Sequence, residues 1–466
     1  MGRCGPVNPA PRILFFQRSV PPDHSAAGSL LFDLAQDLTR CGWEVWIAGT
    51  RTSPDVPAEE SCEGIHFCRG LVPPVDKSSL RSRFLALPGT WLAMFWAVRR
   101  CPRPEILITL TDPPLSACAG TVLARLLRCR HVHWCQDLYP QVAAAAGVIQ
   151  EDGIVFRLLS RLMRAALRDC SRVVAVGRCM QEHLGNIPTT LIPNWARVAP
   201  VSAPAPETGF RILYSGNLGR AHDFEGLNSA AKMTSDPKGA CPGPGDASAK
   251  VAKAGSALRK FVWSSAFRRC FFGCLPPRQP PEGGTPNPDA LCLTGVQLSE
   301  MRPKPGDEAA SELDSDALSD PSLVWTVCGD GPQASAISLA VERIPPVAWD
   351  DYPKLLASAH AHLITLRKEF CGLVVPSKLY DCAASARPIL FAGPADSECA
   401  RAILENHMGL VVPDRDGPAL AEAARSLAQN PELCRQMSAA ASQFSQVHRL
   451  QHSGDRFDAL LRSLLR

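Results

Sequence analysis

Short apolar runs alternate with helical patterns along most of this chain, and that alternation constrains its fold more than any other feature. Ile13–Phe16, Glu44–Ala48, Ile106–Leu110, His131–Trp134 and Val173–Val176 read as buried strands. Helical spacing appears between them at Gly28–Arg40, 116–128 and 154–169. Continuous apolar strands joined by helices predict a parallel sheet covered on both faces. The same style resumes at Ile212–Tyr214, Leu323–Cys328, His362–Thr365, Pro388–Phe391 and Gly409–Val412, with helices at 352–359, 377–385 and Ala419–Gln429. The expected fold class is therefore α/β, two doubly wound Rossmann-like parallel-sheet domains facing a cleft. Ligands of such folds bind at the carboxyl ends of the strands.

The expected boundaries are a disordered tail over 1–11, a first domain over 12–198, a proline-rich linker over 199–209 and a second domain over 210–444. A final helix over 445–466 completes the chain. Residues 235–321 interrupt the second domain. Eleven prolines between Pro237 and Pro305, with acidic text at Glu312–Asp320, read as a mostly disordered insertion. Within it, Lys250–Phe272 mixes six basic residues with Leu258, Phe261, Trp263 and Phe267. That mixture suits a membrane-surface helix, against the plainer reading of a solvated segment.

Composition excludes several classes. A formal net charge of +4 over 466 residues is too small and too evenly spread for nucleic acid. No apolar run reaches the length of a spanning helix, and the first residues lack the apolar core of a secretory signal. Nineteen dispersed cysteines without zinc-like spacing fit a reduced, cytoplasmic chain.

Four segments fall where strands end. Ile212–Tyr214 runs into Ser215-Gly216-Asn217-Leu218-Gly219-Arg220. Its glycines admit a ligand to the backbone, a following helix would aim its N-terminus there, and Arg220 adds charge suited to phosphate. Read alone, it is also an ordinary turn. Cys328-Gly329-Asp330-Gly331-Pro332 is a second glycine turn. Pro376-Ser377-Lys378-Leu379-Tyr380-Asp381 reads as a helix start. A lysine in a first turn is unfavourable unless an anion lies nearby, and Asp381 could accept from ribose hydroxyls. In the first domain, the strand through His133 and Trp134 ends at Gln136-Asp137. Asp137 could orient an acceptor hydroxyl or cap a turn; His133 reads as a core histidine.

The order SGNLG, GDGP, PSKLYD resembles family 4 glycosyltransferases of the GT-B fold, nearest the bacterial branch that builds capsular, colanic-acid or O-antigen sugars. Thr111–Pro114 (TDPP), the segment through Asp137, Ile192–Trp195 (IPNW) and the opening FFQRSVPP stretch match that branch too. The resemblance spans residues 12–234 and 323–466. It implies retaining transfer from a nucleotide sugar, a UDP-sugar, to a lipid-linked or saccharide acceptor in surface polysaccharide or glycoconjugate synthesis, by a hexosyl- or N-acetylhexosaminyl-transferase. In that picture Arg220 and Lys378 neutralise the leaving diphosphate with backbone N–H groups near Gly216, Asn217 and Gly219. Gly329, Gly331 and Ser377 line the donor, and Gly28 lies near the diphosphate or acceptor. Asp381 holds the ribose, Glu369 contacts the donor sugar and Asp137 serves the acceptor. No metal and no other cofactor is implied. Where the family has two glutamates eight residues apart, Glu369 stands twelve before Asp381. The apolar stretch Phe84–Val98 suggests a peripheral seat on the cytoplasmic membrane surface, or a buried core helix. Two alternatives stand beside the transferase: a UDP-sugar epimerase of the same fold, and a degenerate homologue that binds nucleotide or a protein partner.

Overall fold

The computed structural model describes residues 10–22, 25–73, 80–199, 209–234 and 322–466, with backbone alone over 80–85. All of them lie in one compact unit interrupted between Pro237 and Asp320. Residues 1–9 of the expected tail (1–11), 200–208 of the expected linker (199–209), and the whole insertion over 235–321 with its basic segment lie outside the described residues.

Both expected sheets are present. The first has eight strands: β1 (Arg12–Ser19), β2 (Glu44–Arg51), β3 (Glu59–Cys62), β4 (Ile65–Leu71), β5 (Ile106–Leu110), β6 (Arg130–Cys135), β7 (Arg172–Ala175) and β8 (Thr189–Leu191). Their order is β3-β4-β2-β1-β5-β6-β7-β8, and only β3 runs antiparallel. The second sheet is wholly parallel, in the order β11-β10-β9-β12-β13-β14. It comprises β9 (Phe210–Ser215), β10 (Leu323–Cys328), β11 (Glu342–Ile344), β12 (Ala361–Thr365), β13 (Ile389–Ala392) and β14 (Gly409–Val412). In each sheet the order reverses beside the first strand, which opens a crevice at the carboxyl edge.

Crossover handedness sorts the first-domain helices. The chain moves one way from β1 to β2 and the other way from β4 through β8, so right-handed connections place their helices on opposite faces. α1 (Ala26–Arg40) covers one face. α2 (Leu80–Arg100), α3 (Ser116–Leu127) and α5 (Ile154–Asp169) cover the other, where Leu14 and Phe16 pack against Met94, Ala97 and Leu123. The short α4 (Gln141–Ala145) and α6 (Arg178–Leu184) flank α5 in sequence. α7 (Glu225–Thr234), α8 (Tyr352–Ala357), α9 (Lys378–Ala384), α10 (Glu398–Glu405) and α11 (Gly417–Gln429) serve the second sheet.

Instead of one terminal helix there are two, α12 (Pro431–Val447) and α13 (Leu450–Leu465), broken at His448-Arg449. The break lets the chain return to the first sheet. There Phe457 meets Trp134 edge-on at 5.0 Å, and Trp43 Nε1 donates to Asp458 at 2.6 Å. The outgoing chain passes alongside, with Ala196 N–H donating to the His448 carbonyl at 3.0 Å. The two strand-like passages between the sheets thus hold each other.

Candidate active site

The glycine loops after β9 and β10 form one unit. Gly216 N–H donates to the Cys328 carbonyl at 2.9 Å, Leu218 N–H to Asp330 at 3.0 Å, and Gln333 N–H back to Leu218 at 3.1 Å. The closeness demands glycine. A Cβ at Gly329, where φ is +154°, would lie 1.9 Å from the Gly216 carbonyl oxygen. One at Gly331, at φ +156°, would lie 2.6 Å from Asn217 Oδ1. Gly216 itself takes φ +125° and is exposed with Asn217 at the crevice.

Two expectations about this loop change. The Gly216 N–H is already bonded, so it is not the donor expected for an anion. Nor does a helix follow at once: α7 starts only at Glu225, and the Asp223 carboxylate accepts from the Glu225, Gly226 and Arg415 N–H groups. A helix end capped by its own carboxylate directs no positive pole at the loop.

The positive charge comes instead from α9. Lys378 Nζ is buried, has no hydrogen-bond partner among the described residues and sits 3.6 Å over the Tyr214 ring. It faces the glycine surface of the first loop: a Cβ built on Gly216 would stand 3.4 Å from it. Tyr214 is fixed in turn by its hydroxyl, which donates to the Asn217 carbonyl at 2.8 Å. Burial pushes the Lys378 ammonium down to about 7. His222 completes the cage edge-on to Tyr214, its Nδ1 bonded to the Thr365 carbonyl at 2.7 Å. Burial, with the Lys378 charge, lowers it to about 3, so it is neutral. An unpartnered buried ammonium beside exposed glycine backbone is a site prepared for an anion. Ser377 precedes the lysine as the N-cap of α9 and makes no side-chain capping bond.

The other expected residues are spread around this centre. Arg220 is exposed and reaches the first domain, donating from Nη1 to the Ala146 carbonyl at 3.2 Å. Gly219, beside it, is less constrained: a Cβ there would come within 3.2 Å of the Asn217 side chain and 3.9 Å of the His222 ring, and of no backbone atom that near. Glu369 lies in a single turn after β12, 3.2 Å from Arg415 Nη2. A backbone N–H in its own turn, then the charge of Arg415, holds its carboxyl below the usual range.

Asp381 faces the last residues of the first domain. Its Oδ1 accepts from the Arg197 and Val198 N–H groups at 2.7 and 3.3 Å, and burial raises the carboxyl to about 6. Arg197 also bonds Asp33 of α1 at 2.8 Å and lies 4.2 Å over the Trp349 ring. The pattern in the sequence did not disclose this clamp, because its parts come from four separate segments.

On the first-domain side Asp137 pairs in a bridge with Val374, and the neighbouring Leu138 N–H donates to the Leu373 carbonyl at 2.9 Å. The Asp137 N–H donates to Thr111 Oγ1. Burial, then the charge of Asp112, raises the Asp137 carboxyl to about 6. Gln136 and Asn194 exchange two amide bonds beside it. His133 is a core residue: Thr109 Oγ1 bonds both His133 and His131, and burial lowers His133 to about 3. Gly28 belongs to packing. A Cβ there would lie 2.4 Å from the Ser19 carbonyl oxygen, and its N–H is capped by Ser25. Among the described residues no three His, Cys, Asp or Glu side chains gather as a metal site requires.

Residues 27–195 match the Glycosyl transferase 4-like domain. A probable glycosyltransferase, WbjE of Pseudomonas aeruginosa, is 26% identical over 368 residues, covering 75% of this chain and 72% of that protein. The chain is a GT-B glycosyltransferase. Its architecture is that of sucrose-phosphate synthase from Thermosynechococcus elongatus, with a TM-score of 0.64 at 15% identity over 98% of this chain and 99% of that one. Anabaena HepE in complex with UDP superposes with a TM-score of 0.57 at 11% identity, over 97% and 100% of the two chains. At such identities the likeness is one of fold.

Proposed function

We propose that the glycosyltransferase moves a hexosyl or N-acetylhexosaminyl residue, with retention, from a UDP-sugar to a lipid-linked or saccharide acceptor of surface polysaccharide synthesis, working peripherally at the cytoplasmic membrane face. One observation carries the donor half of this reading: the Lys378 ammonium is buried, unpartnered and aimed at Gly216. When the bond from the anomeric carbon to the β-phosphate oxygen breaks, the electron pair stays on the diphosphate. A fixed cation at that oxygen stabilises the departing charge, in the way that preorganised charge contributes most to such catalysis. Arg220 supplies a second charge from the exposed side. Anabaena HepE has been crystallised with UDP and with UDP-glucose, which supports uracil as the base of the donor. Retention and the membrane-side acceptor rest on the resemblance to family 4 enzymes.

In this reading Asp137 would orient the acceptor hydroxyl, and Glu369 would contact the donor sugar. Asp381 would reach a ribose only through its second carboxylate oxygen. Its bonds to Arg197 and Val198 weaken the donor reading at this residue and leave room for the rival, a degenerate homologue that binds nucleotide or a protein partner without turnover. A donor screen separates the two: hydrolysis or transfer from one UDP-sugar, lost in Lys378→Ala, supports the enzyme. Nucleotide binding with no turnover on any donor favours the rival.

A further inference from the structure

Nine of the large apolar side chains left in solvent stand on α2, α3 and α5, the three helices that cover one face of the first sheet. α5 carries the densest group. Ile154 is 81% exposed, Leu158 64%, Val155 60% and Leu162 48%. Arg157, Arg161, Arg164 and Arg168 repeat at helical spacing beside them, all exposed. Asp169 is the only acid in the helix and is held by Arg125 of α3 at 2.9 Å; Glu151 and Asp152 precede the first turn. Arg161, Arg164 and Arg168 have no ion-pair partner among the described residues.

The neighbouring helices continue the surface. Cys118 and Thr121 of α3 touch Met163 and Ala166 of α5, which sets Val122 and Leu126, 55% and 74% exposed, next to the α5 stripe. On α2, Leu92, Phe95 and Trp96 face solvent, with Arg100 stacked 3.7 Å over Trp96. The described parts of α2 and α3 contain no acid. On α5 itself, four arginines stand against the single Asp169. Apolar residues interleaved with unpaired arginines, on helices too short or too polar to cross a bilayer, match an interfacial seat.

We propose that this α2–α3–α5 face docks on an anionic bilayer surface, with α5 lying in the headgroup layer and its arginines on lipid phosphates. The proposal deepens the reading of a lipid-linked acceptor and rests on it for its purpose. A groove of about 280 Å³ between α5 and α6 runs from Arg164 and Arg168 to Leu138, the neighbour of Asp137. Docking would thus set the acceptor side of the crevice against the membrane.

The test is sedimentation of the full chain with vesicles of phosphatidylcholine alone, and of two parts phosphatidylcholine to one part phosphatidylglycerol. Binding is expected to the anionic vesicles only and to weaken with salt. An Arg161→Ala/Arg164→Ala pair should lose affinity about 30-fold, at about 1 kcal/mol per charge. Leu158→Ser/Leu162→Ser should also release the protein, both pairs keeping the parent's UDP affinity and melting profile. Failure to bind, equal binding to neutral vesicles, or a face that instead joins two copies of the chain overturns the proposal. Vesicle binding without turnover of any donor leaves the docking standing and removes the enzyme reading alone.

Discussion

Lys378 Nζ lies 3.6 Å above the ring of Tyr214, and that ring is the nearest thing to a counter-charge the buried ammonium has. A ring face attracts a cation by about 1–2 kcal/mol, well short of what burial takes away, so the ammonium is lowered to about 7. A bound diphosphate would reverse this and restore the proton. UDP binding is therefore expected to take up a proton above about pH 7, with affinity falling about tenfold per pH unit toward pH 9. Lys378→Met should bind UDP weakly and without that slope, and lose about 10²–10³ in turnover. Calorimetry in buffers of different ionisation heat reads the proton directly. The same residue also makes the free protein more stable as pH rises from about 7 toward 10, because the unfolded lysine holds its proton longer.

The two glycine loops give a contrast between positions that look alike in sequence. Gly329→Ala would drive a Cβ into the Gly216 carbonyl at a backbone angle that side chains avoid. A loss of about 2–4 kcal/mol in unfolding free energy is expected, together with loss of UDP binding. Gly219→Ala presses at 3.2 Å on the flexible Asn217 side chain and makes an ordinary 3.9 Å contact with His222, at an ordinary backbone angle, and should change stability by less than about 0.5 kcal/mol. Urea titration of both variants checks the difference.

The contrast marks how far the sequence could be read. Strands such as Ile106–Leu110 and helices such as Ile154–Asp169 announce themselves by apolar period, and both occur where that period places them. β3 (EESC) is polar and β11 is three residues long, so neither carries a period. β4 hides a buried arginine, Arg69, held by Glu60 at 3.0 Å and by the Pro21 and Pro57 carbonyls. Lys378 was legible as a misplaced first-turn charge. Its seat on Tyr214 was not, because parallel strand register decides which side chain ends beneath it. The Asp223 cap, which turns the start of α7 away from the loop, is a signal of two residues just past Arg220, too short to stand out from the sequence.

Asp381 separates a structural role from a ribose contact. Asp381→Ala would leave the buried Arg197 and Val198 N–H groups without an acceptor, at about 2–3 kcal/mol. Asp381→Asn keeps a carbonyl for them and removes a carboxylate that burial disfavours at neutral pH. The clamp account expects Asp381→Asn to fold as well as the parent and to bind UDP equally. A UDP affinity lowered tenfold or more in Asp381→Asn would return the residue to the ribose.

Asp137 sets the expected acid limb of the reaction. Its carboxyl, raised to about 6 by burial and by Asp112, is ionised at neutral pH and protonated in mild acid. The carboxylate accepts a hydrogen bond from an acceptor hydroxyl more strongly than the neutral acid does, and only the carboxylate can stabilise positive charge on a sugar ring. With donor saturating, so that the bound diphosphate keeps Lys378 protonated, transfer should therefore rise with pH across about 5 to 7 and level off above. Asp137→Asn removes the charge and preserves the shape beside Val374, so a drop of about 10²-fold or more is expected, with the acid limb gone. Turnover measured against pH for both proteins, at saturating donor, decides it. An unchanged acid limb in Asp137→Asn would assign that limb to another group.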